Sequence, residues 1–508
     1  MNNPQQNEYH EQNPEQQQRR AIATFLATLA RQDIRLWIEG EGQQVKLRCN
    51  APKGVLTKDL QNQIKTQKPE IIAFLQRQKG QLTQTKILDL PSEVQLDPEI
   101  SPQHCSQASL TSVDFNDPST NMLLTGANGF LGSFILYELL QQTRAKIYCL
   151  VRAETDALAH KRIYSSLVDY ALWDHLQGNE FTDRIIAVAG DLSESQFGLS
   201  NDRFSKLAQT IDVIYHNGAW VHHGSPYSLL KSTNVLGTQE ILRLACSEKL
   251  KPVHFVSTIS VFPLQFQNSI IYEQDALNQY PLPTKGYAQT KWVAESMMAI
   301  AHERGLPINI YRLGPVSGHS KTGVFNANDF LYRLMMGYIQ LGSAPDGEVM
   351  LDVLPIDYAS QALVYLSIHS PPTGENLRRN AFHLLHSSPV TSEILFRSIQ
   401  NKGYGIQRIP YDQWREKLLA IAQSSPDHHL YPLVALFPTD QTDVSSNSNK
   451  NLVPVTFDCQ NAVSGLQNSN LSCPPIDAHL IDTYLSYLIK TNQIQPPTSQ
   501  LQTILSTE

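Results

Sequence analysis

The chain has 508 residues, a formal net charge of −7 and an apolar content of 41%. This length allows two or three domains, and the acidic balance provides no overall basic field that would attract nucleic acid or an anionic membrane. The six cysteines form no CxxC pair, which argues against a zinc site or a disulfide framework and suits a reducing compartment. Because no apolar run approaches the length of a membrane span, we expect a cytoplasmic protein without membrane or nucleic-acid partners.

Composition divides the N-terminal part of the chain into three segments. Residues 1–17 are polar, lack the apolar stretch of a secretory signal, and are predicted to be a disordered tail. Residues 18–78 form a compact patterned unit. Residues 79–117 combine Pro91 and Pro98 with many Ser, Thr and Gln, a composition that is typical of a linker.

The 18–78 unit has the pattern of a small α/β domain, in the order α-β-β-α-α. A helical repeat precedes two extended runs, IRLWIEG and QVKLRCN, and Thr57 is placed to cap the next helix. Through IRLWIEG, LRCNAPKGVLT and KPEIIAFL, residues 20–77 resemble the TubC-type docking domain of nonribosomal peptide synthetases. The resemblance implies recruitment of a partner synthase, and the alternative is a generic α/β cap. The Asp-Ser-Leu signature of a carrier domain is absent, so the unit is not expected to carry substrate.

A glycine-rich turn follows the first apolar strand of the larger part of the chain. The strand NMLL runs into TGANGFLG and then into the helical pattern SFILYELLQQ, which is the context that a dinucleotide-binding turn requires. Gly126 permits a tight turn, Gly129 lets the backbone approach a pyrophosphate, and Gly132 lets the helix pack closely on the strand. The helix N-terminus then offers N–H groups to the phosphates. The predicted cofactor contacts in this turn are Thr125, Gly126, Asn128, Gly129, Phe130, Leu131 and Gly132.

Arg152 follows the second strand, KIYCLV, where an enzyme that uses NAD usually presents an acidic residue to the ribose. An arginine there can pair with the 2′-phosphate of NADPH, and Arg162 on the next helical segment can reach the same phosphate. The sequence therefore favours NADPH as the cofactor, although Arg152 is also compatible with a solvated strand end.

Three further strand ends are expected to contact the cofactor. Asp191 and Leu192 follow RIIAVA, where the carboxylate can accept a hydrogen bond from the adenine amine. Asn217, Gly218 and Ala219 follow DVIYH and are small enough to lie beside the ribose. After the strand NIYRL, the residues Gly314 and Val316 are placed to hold the nicotinamide carboxamide. Among nearby histidines, His216, His222 and His223 lack a helically spaced carboxylate, so we predict structural histidines and no metal site.

The fifth strand, VHFVST, ends at Thr258, and the helix that begins near YAQTK carries Tyr287 and Lys291 one turn apart on one face. A nearby ammonium is expected to lower the pKa of the tyrosine, which then donates a proton to an oxygen as hydride reaches the carbon. Thr258 supplies a second hydrogen bond to that oxygen. Asn234, on the preceding long helix, is placed to hold a water or a backbone carbonyl that supports the lysine. A Tyr-x-x-x-Lys pair alone is weak evidence, but its position after this strand makes the prediction strong.

Residues 121–370 resemble extended short-chain dehydrogenases/reductases, and in particular the thioester reductase domains that terminate peptide and polyketide assembly lines and carboxylic acid reductases. The resemblance lies in TGANGFLG, CLVRA, GDLS, HNGAWVHH, NVLGTQEILRLA, VSTISVF, YAQTKWVAE, YRLGPVSG and DVLPIDYAS. It implies that Thr258, Tyr287 and Lys291 are catalytic and that Arg152 and Arg162 meet the NADPH phosphate. Family members often have Asn where this chain has His222, so that residue is given no role.

The predicted fold is α/β, with a doubly wound parallel-sheet Rossmann domain at residues 118–388 and a mostly helical C-terminal substrate lobe at residues 389–508. The resemblance implies NADPH-dependent reduction of a carrier-bound acyl or peptidyl thioester to an aldehyde, or further to an alcohol. The partner is then a separate phosphopantetheinylated carrier protein or upstream synthase. Two alternatives remain open at this point: a sugar-nucleotide epimerase or dehydratase on the same fold, and a non-catalytic NADP-sensing interaction protein.

Overall fold

The protein was analysed as a computed structural model that divides into two compact units, Met1–Asp89 and Leu90–Glu508. The structure describes residues 22, 25–26, 28–29, 34–39, 45–50, 56–81, 88–105, 113–176, 179–222, 225–266, 270–347, 350–372, 380–424, 428–430, 433, 437 and 453–497. The predicted tail, residues 1–17, lies outside these ranges.

The first unit pairs a two-stranded antiparallel sheet with helices. Its elements are β1 (Arg35–Glu39), β2 (Lys46–Asn50), α1 (Lys58–Thr66) and α2 (Lys68–Gln81). The side chain of Thr57 caps α1, because its hydroxyl accepts a hydrogen bond from the Leu60 N–H at 3.2 Å. Leu29, Ile34 and Ile64 are buried at the centre of this unit. The strand-strand-helix-helix order matches the sequence prediction.

A seven-stranded parallel sheet organises the second unit, as predicted. Its spatial order is β9-β8-β7-β6-β3-β4-β5. The strands are β3 (Asn121–Thr125), β4 (Lys146–Val151), β5 (Ile185–Ala189), β6 (Val213–His216), β7 (Val253–Thr258), β8 (Ile308–Leu313) and β9 (Ala381–Leu384). The chain reverses direction across the sheet between β3 and β6, and ligands bind outside the carboxyl ends of strands at such a switch point.

Helices cover both faces of this sheet. Alternate strand residues point to opposite faces, so Met122 and Leu124 join one apolar core while Leu123 joins the other. In the described residues of the second unit, the helices are α3 (Phe130–Gln142), α4 (Asp156–Asp169), α5 (Asn179–Thr182), α6 (Asn201–Thr210), α7 (Tyr227–Lys231), α8 (Gly237–Cys246), α9 (Gly286–Glu303), α10 (Phe330–Leu341), α11 (Ile356–His369), α12 (Glu393–Asn401), α13 (Tyr411–Ser424), α14 (Gln460–Leu466) and α15 (Ala478–Lys490). A π-helical turn, Ser232–Leu236, joins α7 to α8.

A third apolar core belongs to a helical lobe built mainly from α10, α12, α13 and α15. Phe325 and Leu331 lie in this core together with Leu395, so the lobe draws on both sides of the predicted boundary at residue 388. Between these segments, α11 and β9 return to the sheet core. The lobe is therefore discontinuous in sequence, and one boundary after residue 388 does not describe it.

Short strand pairs connect the lobe and the loops. They join Val316–Ser317 to Leu354–Pro355, Ser343–Pro345 to Gln407–Ile409, Met350–Leu351 to Val390–Thr391, Gln265–Phe266 to Val453–Pro454, and Ile270–Ile271 to Thr456–Phe457. Single 3-10 turns occur at Pro91–Glu93, Pro102–His104, Trp173–Leu176, Ser195–Gly198, Ile259–Val261 and Leu277–Gln279.

The second half of the predicted linker is an integral part of the second unit. Leu90, Leu96, Ile100 and Cys105 are each at most 8% exposed and join the core that contains α8 and α9. Their burial removes apolar side chains from water, which a solvated linker would leave exposed. The predicted linker at residues 79–117 is therefore wrong from Leu90 to Cys105.

Candidate active site

Close packing leaves no room for a Cβ at two glycines of this region, Gly132 in the turn and Gly218 in the loop beside it. Gly126 has a φ of +70°, the left-handed region that favours glycine. A Cβ on Gly132 would lie 1.9 Å from the Gly126 carbonyl oxygen, far inside contact distance. A Cβ on Gly218 would lie 2.9 Å from the Thr125 hydroxyl oxygen. The turn after β3 and the loop after β6 therefore pack backbone against backbone, and the sequence predicted this requirement.

The N-terminus of α3 points out of this turn. Its N-cap is Gly129, which has no side chain to occupy the first N–H groups of the helix. The ring of Phe130 lies against Tyr170 with 5.1 Å between ring centroids. The hydroxyl of Ser166, on α4, donates to the Asn128 carbonyl at 3.0 Å and so fixes the turn from the side. Leu131 is partly buried at the helix start. This geometry fits the pyrophosphate of a dinucleotide.

Arg152 and Arg162 lie together at the carboxyl end of β4. The guanidinium of Arg162 donates to the Arg152 carbonyl at 2.7 Å, and both residues are exposed. Two cationic side chains therefore lie at this strand end, and their pairing with a 2′-phosphate stays a prediction.

The loops after β5 and β6 complete the edge of the crevice. Asp191 accepts hydrogen bonds at its Oδ1 from the backbone N–H and the hydroxyl of Ser193, at 2.9 and 2.8 Å. Leu192 packs so tightly that a Cβ on Gly218 would lie 2.7 Å from its Cδ1. The Asn217 amide faces the Gly126 carbonyl at 3.5 Å, and Ala219 is partly buried. The structure brings these predicted residues to one edge of the sheet.

A chain of hydrogen bonds runs beneath the turn through His216. The Gly218 N–H donates to the Thr125 hydroxyl oxygen at 2.8 Å, and that oxygen lies 2.9 Å from His216 Nδ1. On the other side of the ring, Nε2 lies 3.0 Å from the Thr238 hydroxyl, which donates to the Asn234 carbonyl at 2.7 Å. The hydroxyl of Thr238 thus accepts from Nε2–H, and Nδ1 accepts from Thr125.

Burial lowers the pKa of His216 to about 3, with a smaller contribution from the charge of Lys291. The ring is therefore neutral and fully hydrogen-bonded, as predicted for a structural histidine. His222 likewise bonds through Nδ1 to the Ser225 hydroxyl at 2.8 Å, while His223 lies outside the described residues. Within the described ranges, no group of His, Cys, Asp or Glu side chains could hold a metal ion.

Lys291 lies on α9 against the end of β7. Its ammonium donates to the Val256 carbonyl at 2.7 Å and lies 4.0 Å above the Phe255 ring. Burial lowers its pKa to about 7, opposed by the carboxylate of Glu295. One turn earlier, Tyr287 is partly buried.

Burial raises the pKa of Tyr287 to about 12. The sequence predicted that the Lys291 ammonium lowers this pKa, but the shift is upward, because burial disfavours the charged phenolate. The consequence is a phenol that keeps its proton throughout the physiological range.

Thr258 is the last residue of β7 and caps the 3-10 turn that follows. Its hydroxyl oxygen accepts from the Ser260 N–H at 3.2 Å and lies 3.3 Å from the Ser260 hydroxyl. Across the sheet, Thr258 pairs in register with Leu313 of β8. Gly314, directly after that strand, donates its N–H to the Leu384 carbonyl at 3.0 Å, and Val316 is partly buried.

Asn234 lies in the π-helical turn between α7 and α8 and is buried. Its Oδ1 accepts from the Trp220 N–H at 2.7 Å, and its amide donates to the Trp220 carbonyl at 3.1 Å and the Thr290 hydroxyl at 3.0 Å. Asn234 was expected to hold a water or a carbonyl that supports the lysine, but it binds the Trp220 backbone and Thr290, while Lys291 donates to the Val256 carbonyl. π-helical turns are frequent at functional sites.

A buried ion pair joins α9 to β8. Arg312 on β8 and Glu295 on α9 are 5% and 3% exposed at their side chains and lie 2.7 Å apart. Ser257, beside Thr258, donates to the same carboxylate at 2.5 Å. Arg312 also donates to the Glu273 carbonyl at 3.0 Å. Sequence analysis missed this network because the partners are far apart in the chain and no motif links them.

Fold and site together define an oxidoreductase that binds a nicotinamide cofactor at the carboxyl edge of a parallel sheet. A family model described as male sterility protein, of the NAD-binding type, matches residues 124–363, and a model of the TubC N-terminal docking domain matches residues 22–77.

Similar proteins include a terminal reductase domain, a peptide synthase and a reductase. The chain is 37% identical to the terminal R domain of the myxalamid PKS-NRPS pathway, with a TM-score of 0.70, covering 81% of this chain and 99% of that structure. It is 38% identical over 415 residues to a linear gramicidin synthase of Brevibacillus parabrevis, covering 80% of this chain and 8% of that protein. It is 38% identical over 335 residues to glycine betaine reductase ATRR of Emericella nidulans, covering 64% of this chain and 25% of that protein.

The chain belongs to this family of terminal thioester reductase domains and carries a TubC-type docking domain at its N-terminal side. It spans only a small part of the curated relatives it matches, 8% and 25% of the two named above. In the part of the chain that the structure describes, no helix has the length and apolar character to cross a membrane.

Proposed function

We propose that the chain reduces a carrier-bound acyl or peptidyl thioester with NADPH and thereby releases it as an aldehyde, or after a second reduction as an alcohol, in nonribosomal peptide or polyketide synthesis. The carrying observation is the placement of Tyr287 and Lys291 on α9 beside the end of β7, in a chain that is 37% identical to a terminal R domain.

The residues at the crevice fit an NADPH molecule. Gly132 and Gly218 occupy positions where a Cβ would clash. No side chain caps the N-terminus of α3, so its free N–H groups are available to bind the pyrophosphate. We expect Arg152 and Arg162, which lie together after β4, to pair with the 2′-phosphate, and Asp191 to accept from the adenine amine. When bound, NADPH supplies the hydride. We expect Gly314 and Val316 to hold its carboxamide.

The side chains of the protein activate and orient the thioester carbonyl. Thr258 and Tyr287 donate hydrogen bonds to its oxygen, and Tyr287 transfers its proton as the carbonyl carbon becomes tetrahedral. A phenol with a raised pKa remains protonated at neutral pH and can act as this acid. Lys291, one helical turn away, is expected to return a proton to the resulting tyrosinate. The resulting hemithioacetal collapses into an aldehyde and the free thiol of the carrier.

We infer that the docking unit recruits the synthase that delivers the substrate. The unit is a separate compact body that ends at Asp89, and in its described part β1 pairs only with β2. A partner segment can add to such a hairpin edge by main-chain hydrogen bonds. Tethering raises the effective concentration of the carrier at the crevice.

Deletion of residues 1–89 tests this recruitment. We expect turnover of a small free thioester to be unchanged, because all described site residues lie after Leu90. Reduction of the acyl chain on its carrier protein should slow, and excess carrier should restore the rate. Loss of turnover on the small thioester would show that the docking unit is instead a structural part of the enzyme.

The main experiment incubates the full chain with acyl-phosphopantetheine thioesters and NADPH and measures product mass. We expect an aldehyde or alcohol, with NADPH oxidised in proportion. The variant Tyr287→Phe keeps the ring but lacks the proton donor, so its rate should fall by about 100-fold or more while NADPH still binds. Conversion of a sugar nucleotide without net oxidation of NADPH would favour an epimerase instead. Fractionation of cells that express the full chain tests the predicted cytoplasmic location.

A further inference from the structure

A segment near the start of the second unit contacts α7, α8 and the end of α9. We define the strap as residues 90–105. Its Glu93 carboxylate accepts from the Tyr227 hydroxyl at 2.9 Å and lies 2.6 Å from the Lys231 ammonium. Both partners belong to α7, the short helix that leads into the π-helical turn.

The strap is anchored independently at its centre. Arg304, at the end of α9, donates to the carbonyls of Leu96, Asp97 and Ile100 at 3.1, 2.6 and 2.8 Å. The Asp97 carboxylate pairs with Arg243 of α8 at 2.8 Å. The strap therefore keeps its place on α8 and α9 even if the Glu93 contact is removed.

The helix that Glu93 contacts, α7, packs directly on the start of α9. Gly286, the residue before Tyr287, packs so closely on the start of α7 that a Cβ there would lie 2.3 Å from the Ser225 carbonyl oxygen and 2.6 Å from the Tyr227 nitrogen. Backbone in direct contact with backbone cannot absorb a shift of its neighbour. A displacement of α7 must therefore move the first turn of α9.

The opposite end of α7 reaches the same helix by a second route. After Lys231 the chain enters the π-helical turn, where buried Asn234 donates to the Thr290 hydroxyl at 3.0 Å. Thr290 in turn donates to the Tyr287 carbonyl at 2.8 Å. Both ends of α7 thus touch the turn of α9 that presents Tyr287.

We propose that Glu93 is a positioning residue for reduction, which acts through Tyr227 and Lys231 to hold α7 against the start of α9 and so places the Tyr287 hydroxyl. The hydrogen bond from Lys231 is the main cause of the lowered pKa of Glu93, with a further bond from Tyr227, so the carboxylate stays ionised at neutral pH. The inference rests on the proposed reductase function, because the hydroxyl it positions is the proton donor of that reaction.

The test compares three variants of the full chain on a small free thioester with NADPH. Glu93→Ala removes both contacts, and we expect kcat to fall on the order of 10-fold, since small misplacements of reacting groups cost this much or more. The KM for NADPH should stay unchanged. Glu93→Gln keeps an acceptor for Tyr227 and should recover part of kcat. Asp97→Asn removes a strap ion pair of similar exposure that does not touch α7, and it should keep wild-type kcat.

Hydrogen exchange supplies a readout that does not depend on turnover. Peptides that cover the start of α9 should exchange faster in Glu93→Ala than in the wild type, and Asp97→Asn should leave them unchanged. Equal kcat and equal exchange at α9 in Glu93→Ala and the wild type would overturn the proposal, as would equal losses in Glu93→Ala and Asp97→Asn. If no thioester is reduced by the wild type, the proposed function fails, and the exchange data alone still decide whether Glu93 holds α9.

Discussion

Substitution of Gly132 by alanine tests whether the glycine turn binds the cofactor. The new Cβ would lie 1.9 Å from the Gly126 carbonyl oxygen and 2.9 Å from the Asn217 amide nitrogen, whereas ordinary contacts begin at 3.4 Å. Because the obstacle is backbone, α3 must retreat from the turn by roughly 1.5 Å, and overpacking of this kind costs about 1–3 kcal/mol. The retreat also moves the helix N-terminus away from the pyrophosphate.

The assay combines thermal unfolding with titration of NADPH followed by its fluorescence. We expect Gly132→Ala to lower the melting temperature and to abolish saturable NADPH binding. Gly129→Ala is the matched control, because its Cβ would lie 3.3 Å from the same carbonyl oxygen and needs only a slight adjustment. That variant should keep the melting temperature of the wild type. Equal NADPH affinity in Gly132→Ala and the wild type would refute the assignment of this turn.

Three further predictions concern charge. Arg152→Ala should raise the KM for NADPH far more than that for NADH, and a wild type that prefers NADH would contradict the role of Arg152. Glu295→Gln leaves the buried Arg312 charge uncompensated, so the free energy of unfolding in urea should fall by about 3–5 kcal/mol; a loss below about 1 kcal/mol would show that the pair is dispensable. Lys291 has a folded-state pKa of about 7, below its ordinary value of 10.5, so between these pH values the unfolded chain binds a proton that the folded chain does not. The stability of the wild type relative to Lys291→Met should therefore rise as pH increases from 7 to 9, and a flat difference in urea melts would count against a buried neutral lysine.

Features set by neighbouring residues could be predicted from the sequence. The strands from β3 to β8 follow apolar runs, the glycine turn lies between a strand and a helix, and Thr57 caps α1. Each of these depends on contacts within a few residues along the chain. The spacing of Tyr287 and Lys291 is likewise fixed by one helical turn.

Features set by distant contacts could not be predicted in this way. The strap shows no helical or strand periodicity, because Leu90, Leu96 and Ile100 are buried by helices more than a hundred residues away in sequence. The π-helical turn at Asn234 has no sequence signature. The pKa of Tyr287 was expected to fall because the sequence displays its cationic neighbour but not the depth of its burial.

The extent of the helical lobe could not be predicted either, because it also depends on contacts between residues that are distant in sequence. A mostly helical C-terminal region was predictable from its pattern, but the return of α11 and β9 to the sheet was not. Ala381–Leu384 forms the last parallel strand beside β8, and each of its residues pairs with one 71 positions earlier. A single boundary after residue 388 therefore splits the lobe, because the lobe contains segments from both sides of that residue.

The hydrogen-bond chain through His216 has a consequence for proton movement in the crevice. Each donor in the series from the Gly218 N–H to the Asn234 carbonyl points the same way, so the ring is held in one tautomer. Reversing any link would require protonation of a ring whose pKa is about 3. The hydrogen-bond chain through His216 therefore does not take up a proton at neutral pH. Across the crevice, burial lowers the pKa of Lys291 to about 7, so of these two buried groups only Lys291 has a pKa close to neutral pH.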